Sequence, residues 1–265
     1  MILNVMEWGK ADAPSILFVH GWSQTHMTWI AQKESELAKK FRLVALDLRG
    51  HGMSDAPKEE IAYTNSQIWA DDIRAVIEYL DLESPVLVGW SYGGLVITDY
   101  LRAYGDDNIS GINLVCAAIK LDDSVPGKMI GPGFLENFVG ATSKNLTTNI
   151  DAMRNFIEQC FATKLSRQDY ERILCWNMTV RPDVRASLLN REVDGTSALA
   201  SGSCPVLVTQ SKRDVIVLPH AAEHILKNVS RAECSWYPES GHGPFLEESE
   251  RFNRELAEFV STANI

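Results

Sequence analysis

Five short runs of this chain are apolar with little interruption, and they limit its fold more than any other feature. "SILFVHG" (15–21), "FRLVALDL" (41–48), "PVLVGWS" (85–91), "GINLVCAAI" (111–119) and "PVLVTQS" (205–211) place Val, Leu and Ile at successive rather than alternate positions. A strand apolar on both faces must be covered on both, the condition of a parallel sheet between two helical layers. "AECSWYPES" (232–240) reads as a weaker, half-buried strand and "ILNVMEW" (2–8) as an edge strand.

Helical patterns fall between these runs. "NSQIWADDIRAVIEYLDL" (65–82) sets Ile68, Ile73, Val76, Ile77 and Leu80 on one stripe, with Asn65 or Ser66 as N-cap. "LPHAAEHILKNV" (218–229) puts Pro219 at a first helical position, and "LEESERFNRELAEFV" (246–260) reads as one amphipathic terminal helix. Strand–helix alternation of this kind predicts a doubly wound, mostly parallel α/β sheet of about seven strands with right-handed crossovers.

One region breaks the rhythm. From Lys120 to Ser203 no run reads as a strand, and helical patterns rich in Met and Phe follow the Gly/Pro-punctuated "VPGKMIGPGF". So long a stretch is not a structureless loop inside a compact domain. The expected division is a core of residues 1–119 and 204–265 and a helical cap, 120–203, inserted on the carboxyl edge of the sheet.

The residues that carry chemistry sit at strand ends. Gly89-Trp90-Ser91-Tyr92-Gly93 joins a buried strand to a helix, the pattern of a nucleophile elbow, in which flanking side chains do not fit. The Tyr92 N–H, at the positive end of that helix, is a donor for developing negative charge. A serine nucleophile needs a base, and the base needs an orienting carboxylate. His242, in the glycine-flanked loop "PESGHGPFLEE", is the base candidate; His20 and His51 read as braces of the backbone, and His26, His220 and His224 as packing or surface residues. Asp214, directly after the strand 205–211, is the carboxylate candidate, with Asp122 and Asp123 as competitors after the strand ending at Ile119. The second oxyanion donor is the N–H of Trp22, aimed by the His20–Gly21 turn. Trp22, Trp90, Phe134, Phe138 and Trp176 are candidate pocket residues, within a cap that also carries Met129, Met153, Phe156, Phe161 and Met178.

Bulk properties exclude several partners. A net charge of −10 with no basic run argues against nucleic acid and anionic membrane surfaces. No window of 18 apolar residues exists, and "MILNVMEWGKADAP" lacks the features of a signal peptide. Cys116, Cys160, Cys175, Cys204 and Cys234 are odd in number, widely spaced and without a CxxC pair, as suits reduced thiols. The expectation is a cytoplasmic protein acting on a small molecule.

"FVHGW", "ALDLRGHGMSD", "VLVGWSYGG", the Asp of "SKRD" and "ESGHGPFLEE" together resemble the α/β-hydrolase superfamily, and within it the small esterases historically called cofactor-free haloperoxidases. The resemblance spans essentially the whole chain. It implies the α/β-hydrolase fold, with Ser91, Asp214 and His242 matching the triad, Trp22 and Tyr92 the oxyanion donors, and about 120–203 the helical cap. Family members usually begin with one more antiparallel strand, so either the sheet has seven strands rather than eight or the start assignment has trimmed it. Trp90 and Tyr92 are also bulkier than the usual neighbours of the nucleophile.

The implied reaction is hydrolysis of carboxylic esters of small or medium acyl or aryl groups through an acyl-enzyme, with no metal or organic cofactor. Lactone opening and perhydrolysis use the same parts, and the substrate is accordingly an ester or lactone. A hydroxynitrile lyase of this kind wants a lysine on the cyanide side, for which Lys212 is near in sequence. A dehalogenase needs Asp where this chain has Ser91, and a non-catalytic member is expected to lack part of the triad.

Overall fold

The apolar runs form the strands of the computed structural model, which describes residues 1–121 and 129–263. In chain order the strands are β1 (Val5–Gly9), β2 (Ser15–Val19), β3 (Arg42–Leu46), β4 (Val86–Trp90), β5 (Gly111–Val115), β6 (Lys120–Leu121), β7 (Val193–Asp194), β8 (Val206–Ser211) and β9 (Ala232–Tyr237). Alternate side chains of a strand point to opposite faces. Leu17, Val44, Leu87, Ile112 and Val208 therefore enter one core, and Ile16, Phe18, Leu43, Ala45, Val86, Val88 and Trp90 the other.

Seven strands make the main sheet, in the order β1-β3-β2-β4-β5-β8-β9. Only β1 runs antiparallel, against β3; the other pairings are parallel. The chain winds outward from β2 to β3, then restarts at β4 beside β2 and winds the opposite way to β9. Beyond the carboxyl ends of β2 and β4, where Val19 pairs with Gly89, the loops diverge. A doubly wound sheet opens its ligand crevice at such a switch point. Asp214 and His242 follow the neighbouring strands β8 and β9, so topology alone brings three distant loops to one edge.

Helix Ser66–Tyr79 is capped by Asn65, whose side chain accepts from Gln67 N. Pro219 is the cap of helix His220–Asn228 rather than its first residue. The expected helix over 246–260 is two, Pro244–Glu247 and Ser249–Ala263, because Glu248 leaves helical geometry at ψ 48°.

The segment between β5 and β8 differs from expectation in one respect. It contains β6 and β7, which pair antiparallel as Lys120↔Asp194 and Leu121↔Val193. Strands of two residues are too short to show a period in sequence. Its helices include Pro132–Ala141, Leu146–Cys160, Arg167–Met178 and Pro182–Ser187. Met153, Phe156, Ile157, Ile173 and Leu188 pack in the same cluster as one face of the sheet, so this segment shares the core's interior. Met129 and Gly131 hydrogen-bond to the loop after Asp214: Gly131 N to Ile216 O at 2.8 Å and Leu218 N to Met129 O at 2.7 Å.

Candidate active site

Ser91 occupies the turn between β4 and helix Tyr92–Tyr104 at φ 55° and ψ −117°, a conformation non-glycine residues rarely adopt. The turn is tight enough that a Cβ on Gly93 would stand 2.4 Å from Val19 O, and one on Gly89 2.6 Å from Ile97 Cδ1. Backbone bonds hold the strained residue: Ser91 N donates to Val115 O (3.0 Å), and Ser91 O accepts from Gly94 N (3.0 Å) and Ala118 N (3.1 Å). Its side chain makes no capping bond to the helix.

His242 and Asp214 meet in a buried pair. His242 Nδ1 lies 2.7 Å from Asp214 Oδ2, and both side chains are at most 1 % exposed. Asp214 Oδ1 accepts the N–H groups of Ile216 (2.8 Å) and Val217 (3.0 Å). The carboxylate is thus fixed by its own turn and shielded by the apolar residues of that turn. The His242 backbone is anchored as well, its N–H to Cys160 O (2.7 Å) and its carbonyl to Trp90 Nε1 (2.8 Å). Among the described residues, Ser91 Oγ makes no hydrogen bond; such contacts are often long without substrate and shorten when it binds. The competing carboxylates Asp122 and Asp123 lie outside the described residues.

Cys116, following β5, sits between these loops. Its Sγ clusters with donor atoms of Asp214 and His242, all within 4.8 Å of one another. A metal there would have to displace the His242–Asp214 bond. Burial, and then the charge of Asp214, push the thiol well above its ordinary range, so the metal-binding thiolate is disfavoured.

The loop after β2 faces Ser91 from the other side; a Cβ on Gly21 would stand 3.0 Å from Ser91 Cβ. Two buried histidines shape this loop. His20 Nδ1–H donates to Gly21 O (2.8 Å) and its Nε2 accepts from Leu48 N (3.0 Å). His51 Nδ1–H donates to Arg49 O (2.9 Å) and its Nε2 accepts from Ser23 N (3.2 Å). A ring that accepts a backbone N–H must be neutral. Burial accordingly lowers His20 to about 4 and His51 to about 3. Among the described residues neither Trp22 N nor Tyr92 N is engaged, so both backbone donors remain for a ligand.

Arg185, from the segment above the sheet, completes the frame and is fully buried. Its Nε donates to Ser23 Oγ (2.9 Å), Nη1 to Ala141 O (2.9 Å) and Asn149 Oδ1 (2.8 Å), and Nη2 to Asn177 O (2.6 Å). Trp22 Nε1 donates back to Arg185 O at 3.0 Å. Burial lowers the guanidinium to about 10, which leaves it charged at neutral pH. Nothing in sequence pointed to this role, since an arginine in the short run "PDVRAS" reads as a surface residue. Arg191 was missed for the same reason; it joins Asp99, Tyr92 Oη and Ser66 Oγ inside the protein.

A cavity of about 340 Å³ opens over Ser91. Trp22, Tyr92, Met129, Phe134, Phe138 and Ile216 are among the side chains lining it. Trp90 is turned to the opposite face of the sheet, against His242 and Phe245. Trp176 does not reach the cavity either; its Nε1 donates to Gln24 Oε1 at 2.8 Å. Lys212 is exposed and lies over the Trp236 ring, away from the cavity lining. A larger depression, about 600 Å³ against Phe161–Leu165, contains none of the serine, histidine or aspartate just described.

Known proteins share this arrangement of chain. Esterase RhEst1 from Rhodococcus sp. ECU1013 superposes with a TM-score of 0.91 at 33% identity, covering 98% of this chain and 95% of that one. The AB hydrolase superfamily protein YisY of Bacillus subtilis (strain 168) is 28% identical over 93% of this chain and 91% of its own. The bifunctional esterase/perhydrolase DCH of Acinetobacter calcoaceticus is 27% identical over 96% and 94%. Residues 16–255 match the family model described as "Alpha/beta hydrolase family". With that match spanning both the elbow and the histidine loop, the chain belongs to the alpha/beta hydrolase family.

Proposed function

We propose that this protein is a carboxylic ester hydrolase that works through an acyl-enzyme on Ser91. The observation that carries the reading is the buried 2.7 Å His242–Asp214 bond on the same sheet edge as a strained serine whose hydroxyl is not used for capping. In this reading His242 takes the Ser91 proton as the oxygen attacks the ester carbonyl. The N–H groups of Trp22 and Tyr92 hold the oxyanion, and His242 returns the proton to the departing alcohol. Water then repeats the sequence on the acyl-enzyme. Asp214 keeps the proton on Nδ1, so that Nε2 is free to act as base.

Residues 120–203 act as the cap, and the mostly aromatic and aliphatic wall over Ser91 selects acyl or aryl groups of small to medium size. Similarity to an esterase, RhEst1, and to the esterase/perhydrolase DCH supports the reaction class. DCH also favours a second reading, perhydrolysis, in which peroxide replaces water at the acyl-enzyme. Among the described residues no helix is long and apolar enough to cross a membrane. The five cysteines are unpaired, which supports a cytoplasmic setting.

Turnover of p-nitrophenyl acetate and butyrate by Ser91→Ala tests the reading. The expected loss in kcat is at least about 10³-fold. Labelling by a fluorophosphonate should disappear with it, and a variant that kept wild-type turnover would end the proposal. Adding hydrogen peroxide and measuring peracid separates the second reading from the first.

A further inference from the structure

The carboxylate of Glu247 gathers four hydrogen bonds from two separate parts of the chain. Oε1 accepts Gly241 N at 2.7 Å. Oε2 accepts Ala162 N and Thr163 N, each at 2.9 Å, and Thr163 Oγ1 at 3.1 Å. Gly241 immediately precedes His242, and Ala162–Thr163 lie just past Phe161, the C-cap of helix Leu146–Cys160. The same two strips of backbone also join directly, through His242 N to Cys160 O at 2.7 Å. They lie so close that a Cβ on Gly241 would stand 2.6 Å from Ala162 N and 2.9 Å from Cys160 O, which accounts for glycine at 241.

Every partner here is a donor, and the acceptor is a carboxylate with no donor of its own. Such a group holds three backbone N–H bonds and a hydroxyl at once, whereas an amide in its place turns an NH₂ toward one strip or the other. We propose that Glu247 is a positioning residue for the hydrolytic reaction, tying the Gly241–His242 backbone to the 160–163 turn and so setting where the His242 ring stands relative to Ser91. The inference rests on the reading of His242 as general base. Glu247 itself is not among the residues lining the cavity over Ser91, so its effect is on the chemical step rather than on substrate binding.

The experiment compares Glu247→Gln with wild type on p-nitrophenyl butyrate, with kcat referred to the serine titrated by a fluorophosphonate so that misfolded protein does not count. The expected result is a kcat about tenfold lower with KM within about twofold, the pattern of a displaced catalytic group. The downfield proton resonance of the His242 Nδ1–Asp214 bond should broaden or move in the variant. A wild-type kcat per titrated serine with an unchanged resonance overturns the inference. If Glu247→Gln does not accumulate as folded protein, Thr163→Val removes only the hydroxyl bond. A loss of about twofold to threefold is expected there, and no loss overturns the inference. Ser91→Ala in the same series keeps the outcomes apart: activity surviving in that variant defeats the esterase reading, whereas a dead Ser91→Ala beside a fully active Glu247→Gln defeats only the role of Glu247.

Discussion

The main sheet and the helical segment above it share one apolar cluster but differ in how they hold the loops at the crevice. β2 and β4 bury every residue, and their apolar side chains fill cores on both faces. The segment from 129 to 203 shares that interior, with Phe134, Phe138 and Phe156 against Trp22, but it also fastens to the loops at the crevice by polar contacts: Arg185 on Ser23, Trp176 and Asn177 on Gln24, and Glu247 on Ala162 and Thr163. Apolar burial is tolerant of small displacements, whereas a buried hydrogen bond is directional and costly when left unmade. Both regions therefore contribute stability, and the polar contacts at the seam add a directional constraint on the loops at the crevice.

Arg185→Met should break this contrast most severely. Removing the guanidinium takes one donor each from Ser23 Oγ, Asn149 Oδ1 and the carbonyls of Ala141 and Asn177, at a cost of about 4 kcal/mol in urea unfolding. Because Ser23 follows Trp22, kcat per titrated serine should also fall about tenfold. Leu17→Ala, deep in β2, is the counterpart. It should cost about 3 kcal/mol by cavity formation yet leave kcat per titrated serine within about twofold. Equal losses of kcat in the two variants would erase the distinction.

Acid sharpens the same comparison. The folded protein holds His20 at about 4 and His51 at about 3, below the value of 6.5 expected once unfolded. A histidine whose folded value is depressed binds its proton more readily when unfolded. The stability each contributes is present above about pH 6.5 and is lost as pH falls toward its folded value. Between pH 7 and 5.5 the loss is about 1.2 kcal/mol for each ring, read as a falling midpoint in urea titrations. Because His51 holds Ser23 N, His51→Gln should weaken that dependence and lower kcat together. The smallest expected effect is Arg191→Lys, about 1 kcal/mol, since an ammonium cannot reproduce the fork that reaches Asp99, Tyr92 Oη and Ser66 at once.

How far each part was legible follows from the same physics. Uninterrupted apolar runs announced the parallel strands, and a serine between glycines at the end of one of them announced the strained turn. Asp214 and His242 could be picked out because both follow strands near the end of the chain. The β6–β7 pair was invisible, being too short for a period. Trp90 was misread as a pocket residue because it adjoins Ser91; strand alternation turns it to the other face, against Phe245. Trp176 looked like pocket lining because it lies among apolar residues, yet its indole N–H is used to hold Gln24.

What the chain determined by itself was therefore the layered architecture and the identity of the groups at its crevice, because apolar periodicity and steric demands on glycine are local properties. Only the tertiary structure decided that Arg185 and Arg191 would turn inward and that the half-buried Glu247 would fasten two loops. A charged side chain satisfied inside a protein needs partners from distant segments, and no local pattern records where those partners will be.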